Sequence, residues 1–390
     1  MSSFKISDKP EATAADPADV RLLGLDTGDA TEAETGSLKQ YAPGLLHRSL
    51  VPSATALSSG DAVNDYIDAR IAEEPLSGPT LLPRGDIQQD NPLTVEQRLG
   101  VTVAGAGPNY NSTVTDSNNS WDSPAVNRST RFEFDGSSSS PAAQLLGCTT
   151  CCLRDLAIEH LNNGECLRVG RSGTFYGSFN RCERVWFHQG SIGCRFTADG
   201  SGILNSDHCF DNCVFADCGT GVQTDGLQQV AYSFNGMSYW LRCDVAIECV
   251  GGGCTYTHGC SCNGVGVFLR ATAGGSDTGP HVISGLRLDR TGEAPLPVVV
   301  DFSPANSGGA RRASVDGVQV TSGGTLGDHF FFKLNESYAA EGSEIQIGLT
   351  NLRKFGPVER VHAIGVYNDS GTRVGHVYDG VYTALADENF

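Results

Sequence analysis

One short pattern returns seven times between Cys152 and Thr321. It reads apolar, any, Asp/Asn/Gly or similar, apolar, any, apolar. The copies begin at Leu153, Cys182, Phe210, Phe234, Thr257, Ile283 and Val315, at intervals of 29, 28, 24, 23, 26 and 32 residues. Self-similarity at a period of about 20–50 residues marks a solenoid, in which each repeat buries its apolar face against its neighbours. The last two residues of each copy alternate outward and inward, which is a strand period. In this six-residue frame the fourth copy runs Phe234-Asn235-Gly236-Met237-Ser238-Tyr239.

A second strand follows at a nearly fixed offset, through Cys166-Leu167-Arg168-Val169, Cys194-Arg195-Phe196, Val222, Val245-Ala246-Ile247 and Val265-Gly266-Val267. The last two copies keep it further along, at Val298-Val299-Val300 and Phe330-Phe331-Phe332. A third apolar patch precedes several copies, at Phe175, Ile203 and Val230. Three short strands per turn of about 25 residues describe an all-β chain wound as a single right-handed parallel β-helix. Each strand pairs with its equivalent one rung away, roughly 4.8 Å distant. Only 18% of residues are charged and 48 are glycine, which suits a turn-rich all-β chain.

The expected organisation is a polar N-terminal segment over residues 1–55, the β-helix over 56–335, and a β-rich piece over 336–390 that closes the helix or joins subunits. A capping helix is expected after Asp61, with Asp61 accepting from the orphan N–H groups and Val63, Tyr66, Ile67 and Ile71 on one face. Pro75 and Gly78 would end it. Near the C-terminus, Asn368-Asp369-Ser370-Gly371 reads as a turn and Arg373 to Tyr382 completes a hairpin.

The formal net charge of −18 argues against a nucleic-acid partner, which needs Lys and Arg on the phosphates. No apolar run of 18 residues exists, so no membrane insertion is expected. Met1 to Pro17 lacks the basic-then-apolar order of a signal peptide, which makes a reducing cytosol the expected place of synthesis.

Among the 14 cysteines, Cys148 and Cys151 form a CxxC, and Cys254, His258, Cys260 and Cys262 are spaced as zinc ligands can be. The rung alignment offers a simpler account. Cys213 and Cys260 share a column with Leu156, Val185 and Leu286; Cys182 shares one with Leu153 and Phe210; Cys166 is placed with Cys194 and Val222. There they act as small apolar fillers of a narrow stacked core. Gly105-Ala106-Gly107 is followed by Pro108 rather than a helix, so it reads as a turn and not as a dinucleotide fingerprint. No metal and no cofactor are expected.

Two groups of outward residues point to chemistry. Glu183 and Asp211 hold the same position on successive rungs, near the ~5 Å separation of a retaining glycosidase pair, where one carboxyl group is expected to titrate high. They are the candidate catalytic residues. Trp186, His188 and Trp240, with Tyr239 beside it, are the candidate glycan contacts, because flat aromatic faces cover sugar C–H surfaces; Trp186 is expected to share an outward column with Ser238, and Trp240 to belong to the outward column two residues further along. The alternative for the aromatics is packing beneath a loop or against another subunit.

The N-terminal order resembles a known family. Ile6-Ser7-Asp8-Lys9-Pro10-Glu11-Ala12-Thr13, then Asp19-Val20-Arg21-Leu22-Leu23, then Gly36-Ser37-Leu38-Lys39-Gln40-Tyr41 is similar to the N-terminal segment of phage tail fibres and tailspikes. Lys9 stands where that family usually has Leu, and the linking loop is longer here. A short helix, then Leu82-Pro83-Arg84-Gly85, a short strand and Val103-Ala104-Gly105-Ala106-Gly107 resembles the opening of pectate-lyase-like β-helices, which many tailspikes share. The resemblance implies a homotrimer in the virion, made in the host cytoplasm. Its N-terminal segment would join other tail or baseplate proteins, and its surface would meet host polysaccharide. The expected function is thus a structural tail protein that recognises a host surface glycan. The rival is a polysaccharide depolymerase on the same β-helix, a glycosidase rather than a lyase, because Lys is missing from most of the helix. A cellular pectate-lyase-like enzyme is the third reading.

Overall fold

The computed structural model describes residues 51–73, 79–107, 130–197, 207–225, 231–250, 253–272, 278–290, 298–303, 311–322, 329–339, 345–350, 353–355, 361–378 and 381–384. The tail-like N-terminal segment lies outside them, as do Pro75, Gly78, Ile203 and Val230.

The described chain winds into ten rungs of three strands each, and the strands stack into three faces. Face a stacks Thr80–Leu81, Thr102–Ala104, the first halves of Cys152–His160 and Arg181–His188, His208–Asp211, Ala231–Asn235, Gly253–His258, Thr278–Ser284, Arg311–Asp316 and Ile345–Thr350. Face b stacks Gly85–Gln89, Thr130–Phe134, the second halves of the same two long strands, Val214–Ala216, Tyr239–Leu241, Ser261–Asn263, Arg287–Arg290, Gln319–Ser322 and Arg353–Phe355. Face c stacks Leu93–Glu96, Ala143–Leu146, Glu165–Gly170, Ile192–Phe196, Thr220–Thr224, Val245–Cys249, Val267–Ala271, Val298–Phe302, His329–Asn335 and Val361–Tyr367. Every rung-to-rung pairing is parallel, as the repeat requires. The first residues of all seven sequence copies fall in one inward column of face a, from Leu153 through Cys182, Phe210, Phe234, Thr257 and Ile283 to Val315.

The solenoid runs past the boundary expected at 335. Ile345–Thr350, Arg353–Phe355 and Val361–Tyr367 form a tenth rung paired in parallel with the ninth. The irregular sequence spacing reflects longer connections between faces, not a change of fold. After the Asn368–Gly371 turn the chain reverses. Arg373–Tyr378 and Val381–Ala384 then add to face c antiparallel, as the hairpin reading expects.

At the other end two helices cover the first rung. Helix α1, Ala54–Leu57, is capped by Ser53, whose hydroxyl accepts from Ala56 N–H at 3.1 Å. Helix α2, Ala62–Glu73, buries Val63 and Ile67 completely and packs Tyr66 and Ile71 against the same core. Asp61 is used differently from expectation: its Oδ1 accepts from Asn91 Nδ2 at 2.9 Å and so ties the helix start to rung 1.

The third position of the repeat makes the corner between faces a and b. Asp155, Arg184, Asn212, Gly236, Gly259, Gly285 and Gly317 all have positive φ, between 51° and 68°. Asn, Asp and Gly tolerate this left-handed conformation best, which explains their place in the pattern. Arg184 does not belong to that group. It is held by a two-armed ion pair to Asp155 one rung back, Nε–Oδ1 2.5 Å and Nη2–Oδ2 2.8 Å.

The cysteines are core residues, and they are more than filler. All 14 are free thiols, and only Cys152 and Cys209 are partly exposed. Six of them sit just after a corner with one shared geometry. The Sγ of Cys148, Cys151, Cys213, Cys218, Cys243 and Cys260 faces the carbonyl two residues back, at 3.4–3.8 Å, and a second carbonyl one rung back, at 3.1–3.9 Å. A thiol is small enough for the stack and still donates weakly to carbonyls at the turn, several of which also accept a backbone N–H. Ser238 fills the same position in rung 6 and donates to Asn235 O at 3.0 Å. Burial pushes Cys213 and Cys260 up to about 12, which leaves them unreactive at neutral pH. Cys260 and Cys262 point inward while His258 is exposed and pairs with Ser284, so these residues do not converge on one point. One alignment needs correction. Cys194 pairs with Leu167 and Val222, whereas Cys166 lies one position earlier, where the chain rounds the corner and two successive residues are buried.

Candidate functional site

The outward surfaces of faces a and b carry the candidate chemistry. On face a, Glu183 and Asp211 are direct partners on adjacent rungs, as their spacing in the sequence indicates. Arg181 lies between them. Its Nε is 2.8 Å from Glu183 Oε1, and its Nη2 is 2.5 Å from Asp211 Oδ2. The bond to Asp211 raises the Arg181 pKa further, against a small opposing effect of burial. A guanidinium shared by two carboxylates offsets the like-charge repulsion that a retaining acid/nucleophile pair uses to keep one proton.

Face b corrects the expected position of Trp240. Tyr239, not Ser238, pairs with Val214 and Trp186 in the outward column. Trp240 pairs with Phe215 and is fully buried. The cause is one extra residue at the corner of rung 6: Met237 bulges out, 79% exposed, and Ser238 takes the inward position the frame gave to Met237. A shift of one residue moves every following side chain to the other side of a strand. Inside, Phe187, Phe215 and Trp240 stack along the axis with centroids 4.9 and 5.4 Å apart. Gly221 lacks the Cβ that would lie 2.5 Å from the Trp240 ring.

Trp186 does face outward, yet it is only 8% exposed. It forms a small apolar cluster with Val214 and Ala216, flanked by Ala157, Tyr239 and Leu241. His188 follows two residues later on the same outer side and occupies the centre of a polar chain. Its Nδ1 is 3.2 Å from Glu159 Oε1, and its Nε2 is 3.2 Å from Asp217 Oδ2. Asp217 in turn meets Arg242 in a two-armed pair, both arms 2.5 Å. Glu159 also meets Arg131 Nη1 at 3.3 Å, and Arg131 continues to Glu133 at 2.6 Å and Asp86 at 3.0 Å. The chain Asp86, Arg131, Glu159, His188, Asp217, Arg242 therefore spans six successive rungs, the first four members on face b and the last two at its corner with face c.

The electrostatics follow from this wiring. Burial pulls the His188 pKa down, but the bonds to Asp217 and Glu159 outweigh it and hold the imidazole above its ordinary value. Burial pushes Asp217 up, and the opposing pull of His188 and Arg242 brings it down to about 2. Desolvation leads at Glu133 and raises it despite Gln88 and Arg131. Paired, rigid and partly dry charges of both signs suit hydrogen bonding to a polar ligand.

The sequence spacing indicates Glu183, Asp211, Trp186 and His188 as outward residues but does not reveal Glu159, Asp217, Arg131 and Arg242 as their neighbours. One signal was available: Glu159 precedes His188 by the same 29 residues that separate Leu153 from Cys182. The partners at Asp217 and Arg242 fall at the corner between faces b and c, where φ is again positive, at 54° and 52°.

No family model matches the sequence, and no curated protein matches it. Among solved structures the chain is similar to PfbA, a surface adhesin of Streptococcus pneumoniae, at 10% identity and a TM-score of 0.42, covering 87% of this chain and 99% of that one.

Proposed function

We propose that this chain is a surface-recognition solenoid of the phage-tail type that binds host polysaccharide along its outer faces. The observation that carries the binding reading is the outer side of face b. There Trp186 and Tyr239 lie beside the fixed chain of Glu159, His188, Asp217 and Arg242. Prepaired charged groups offer directed hydrogen bonds to sugar hydroxyls at small cost in side-chain ordering, and a neighbouring aromatic edge covers C–H surface. The tail assignment rests on the resemblance carried by Ile6 to Tyr41 and by the helix-to-Gly107 opening. With it come a homotrimer, attachment to other tail or baseplate proteins through residues 1–55, and a place in the virion.

Binding without cleavage is the expected activity, because Glu183 and Asp211 are both engaged by the one guanidinium of Arg181. The test incubates the purified chain with host envelope polysaccharide and measures retention, reducing ends and unsaturated uronates. Retention that Asp217→Asn and Tyr239→Ala each weaken supports the proposal. Release of reducing ends that Glu183→Gln or Asp211→Asn abolishes would replace it with the depolymerase reading. Antibody labelling of purified particles tests the virion assignment, and particles without the chain defeat it.

A further inference from the structure

The N-terminal end of the solenoid holds a second feature that the outer face b does not share. A pocket of about 500 Å³ opens between helix α2 and the end of the first strand of face c, lined by Asn64, Asp68, Thr94, Glu96, Gln97 and Arg98. Its size is that of a small-ligand site. Its lining is polar and prearranged. Asn64 Oδ1 accepts from Thr94 N–H at 2.8 Å, and Arg98 Nη2 meets Asp68 Oδ1 at 2.9 Å. Gln97 has φ 50°, a left-handed conformation that is costly for a residue with a Cβ and that concentrates at ligand sites.

A loop that carries exposed aromatic rings is tied to two of the residues that line this pocket. Ser172 donates to Glu96 Oε1 and accepts from Gln97 Nε2 at 3.0 Å, so the loop after rung 3 is pinned to the pocket wall. Ser172 and Phe175 exchange backbone hydrogen bonds at 3.2 and 3.0 Å, which makes a tight hairpin. Phe175 and Tyr176 then project outward, 53% and 44% exposed, with Phe179 and Leu99 further along the same corner. The Arg171 guanidinium lies 5.8 Å from the Tyr176 ring centre and steadies it. Gly147 makes the hairpin possible: a Cβ there would stand 2.8 Å from Phe175 Cβ.

We propose that this corner is a carbohydrate-binding site for a neutral or amino sugar, with Tyr176 and Phe175 as the stacking platform and Asp68, Glu96, Gln97 and Arg98 as the hydroxyl partners. Exposed flat rings against a hydrogen-bonding pocket match the two faces of a pyranose. Charge selects the sugar class. Asp68 and Arg98 cancel, and Arg171 beside the Tyr176 ring balances Glu96, so the corner has no net positive charge to draw uronates or sialates and suits an uncharged ring. The site stands on its own geometry and does not require the face b reading.

The experiment presents the full chain to an immobilised panel of neutral, amino-sugar and uronate oligosaccharides, then titrates the best binder by calorimetry. Tyr176→Ala and Glu96→Gln should each weaken it tenfold or more, Tyr176→Phe by less than about twofold, and Tyr239→Ala on face b not at all. Three results overturn the proposal: no binding anywhere on the panel, preference for uronates, or binding unchanged in Tyr176→Ala. If Tyr176→Ala instead changes only the oligomeric state, the aromatic corner is an interface between copies of this chain and the site is lost. A Tyr239-dependent binder that ignores Tyr176 would defeat this site while leaving the proposed function standing.

Discussion

The strands of face b present two stacks that differ by a single residue step. Inward, Phe187, Phe215 and Trp240 stack ring on ring along the axis. Outward, Trp186, Val214 and Tyr239 form one column, and Glu159 and His188 head the next. The inner stack is held by apolar burial and dispersion and is indifferent to pH. The outer column of Glu159 and His188 is held by ion pairs whose value depends on protonation. The same backbone register thus serves two kinds of energy, and the corner residues decide which side chain receives which.

The largest effect should come from the inner stack. Trp240→Ala should cost about 3–5 kcal/mol in denaturant unfolding, as for other buried indoles, whereas Tyr239→Ala, half-buried one residue away, should cost about 1 kcal/mol or less. Equal losses would mean that the register at rung 6 is wrong. Gly221→Ala should also destabilise through that stack, because the new Cβ would fall 2.5 Å from Trp240 Cδ1 and 2.7 Å from Ala246 O. Overpacking of this kind costs about 1–3 kcal/mol.

The outer column should respond less, and with a pH signature that the inner stack lacks. His188→Ala should cost about 1–3 kcal/mol at neutral pH, from the loss of one of the two charged partners of buried Glu159. The folded state holds the His188 pKa above its ordinary value, so its contribution is complete below about 6.5 and is lost as pH rises through the folded pKa. The gap between wild type and His188→Ala should therefore narrow as the solution becomes alkaline. For Asp217, whose pKa is brought down to about 2, the contribution is present above the ordinary carboxylate value and is lost only as pH falls through about 2. Melting curves of wild type, His188→Ala and Asp217→Asn across pH would show both directions. Parallel curves would break the distinction between the two stacks.

The smallest effects belong to the corners. Cys213→Ser should be nearly neutral, because Ser238 already fills that position and donates to a backbone carbonyl. Cys213→Ala should cost about 1 kcal/mol, the usual net worth of a modest hydrogen bond with a little lost packing. If both variants behave alike, the thiols are filler and their contacts with carbonyls are incidental.

Much of the fold was legible because a solenoid repeats its constraint. Seven copies of one pattern gave the inward column of face a from Leu153 to Val315 without error, since the first strand of each rung has little freedom in length. What lay beyond the corners was less legible. Met237 adds one residue at a place where extra chain simply bulges into solvent, and nothing in the hydrophobic pattern records it, because Tyr239 and Trp240 are both aromatic. The outward expectation for Trp240 failed there. The boundary at 335 failed for a related reason, since connections outside the strands lengthen without disturbing the stack. At the candidate site the sequence places Glu183 beside Asp211 but is silent on Arg181, because a charge pair depends on where long side chains fold back. The pocket at Glu96 joins helix α2 to a strand end of rung 1, Ser172 ties the loop after rung 3 to it, and no spacing rule connects a strand end to a loop two rungs away.

The direction of the hydrogen bonds has a mechanical meaning. In all three faces the bonds between rungs run along the solenoid axis, because every strand lies across it. A pull from end to end is therefore carried by the rung interfaces in series, like links in a chain, and the weakest interface sets the breaking force. Face b contributes only three-residue strands at Val214–Ala216, Tyr239–Leu241 and Ser261–Asn263. Those rungs are also the ones braced inside by Trp240 and, at the adjoining corner, by the Arg242–Asp217 clasp. A sideways push meets a different body, a stiff rod whose stacked rings and corner ion pairs resist sliding of one coil over the next.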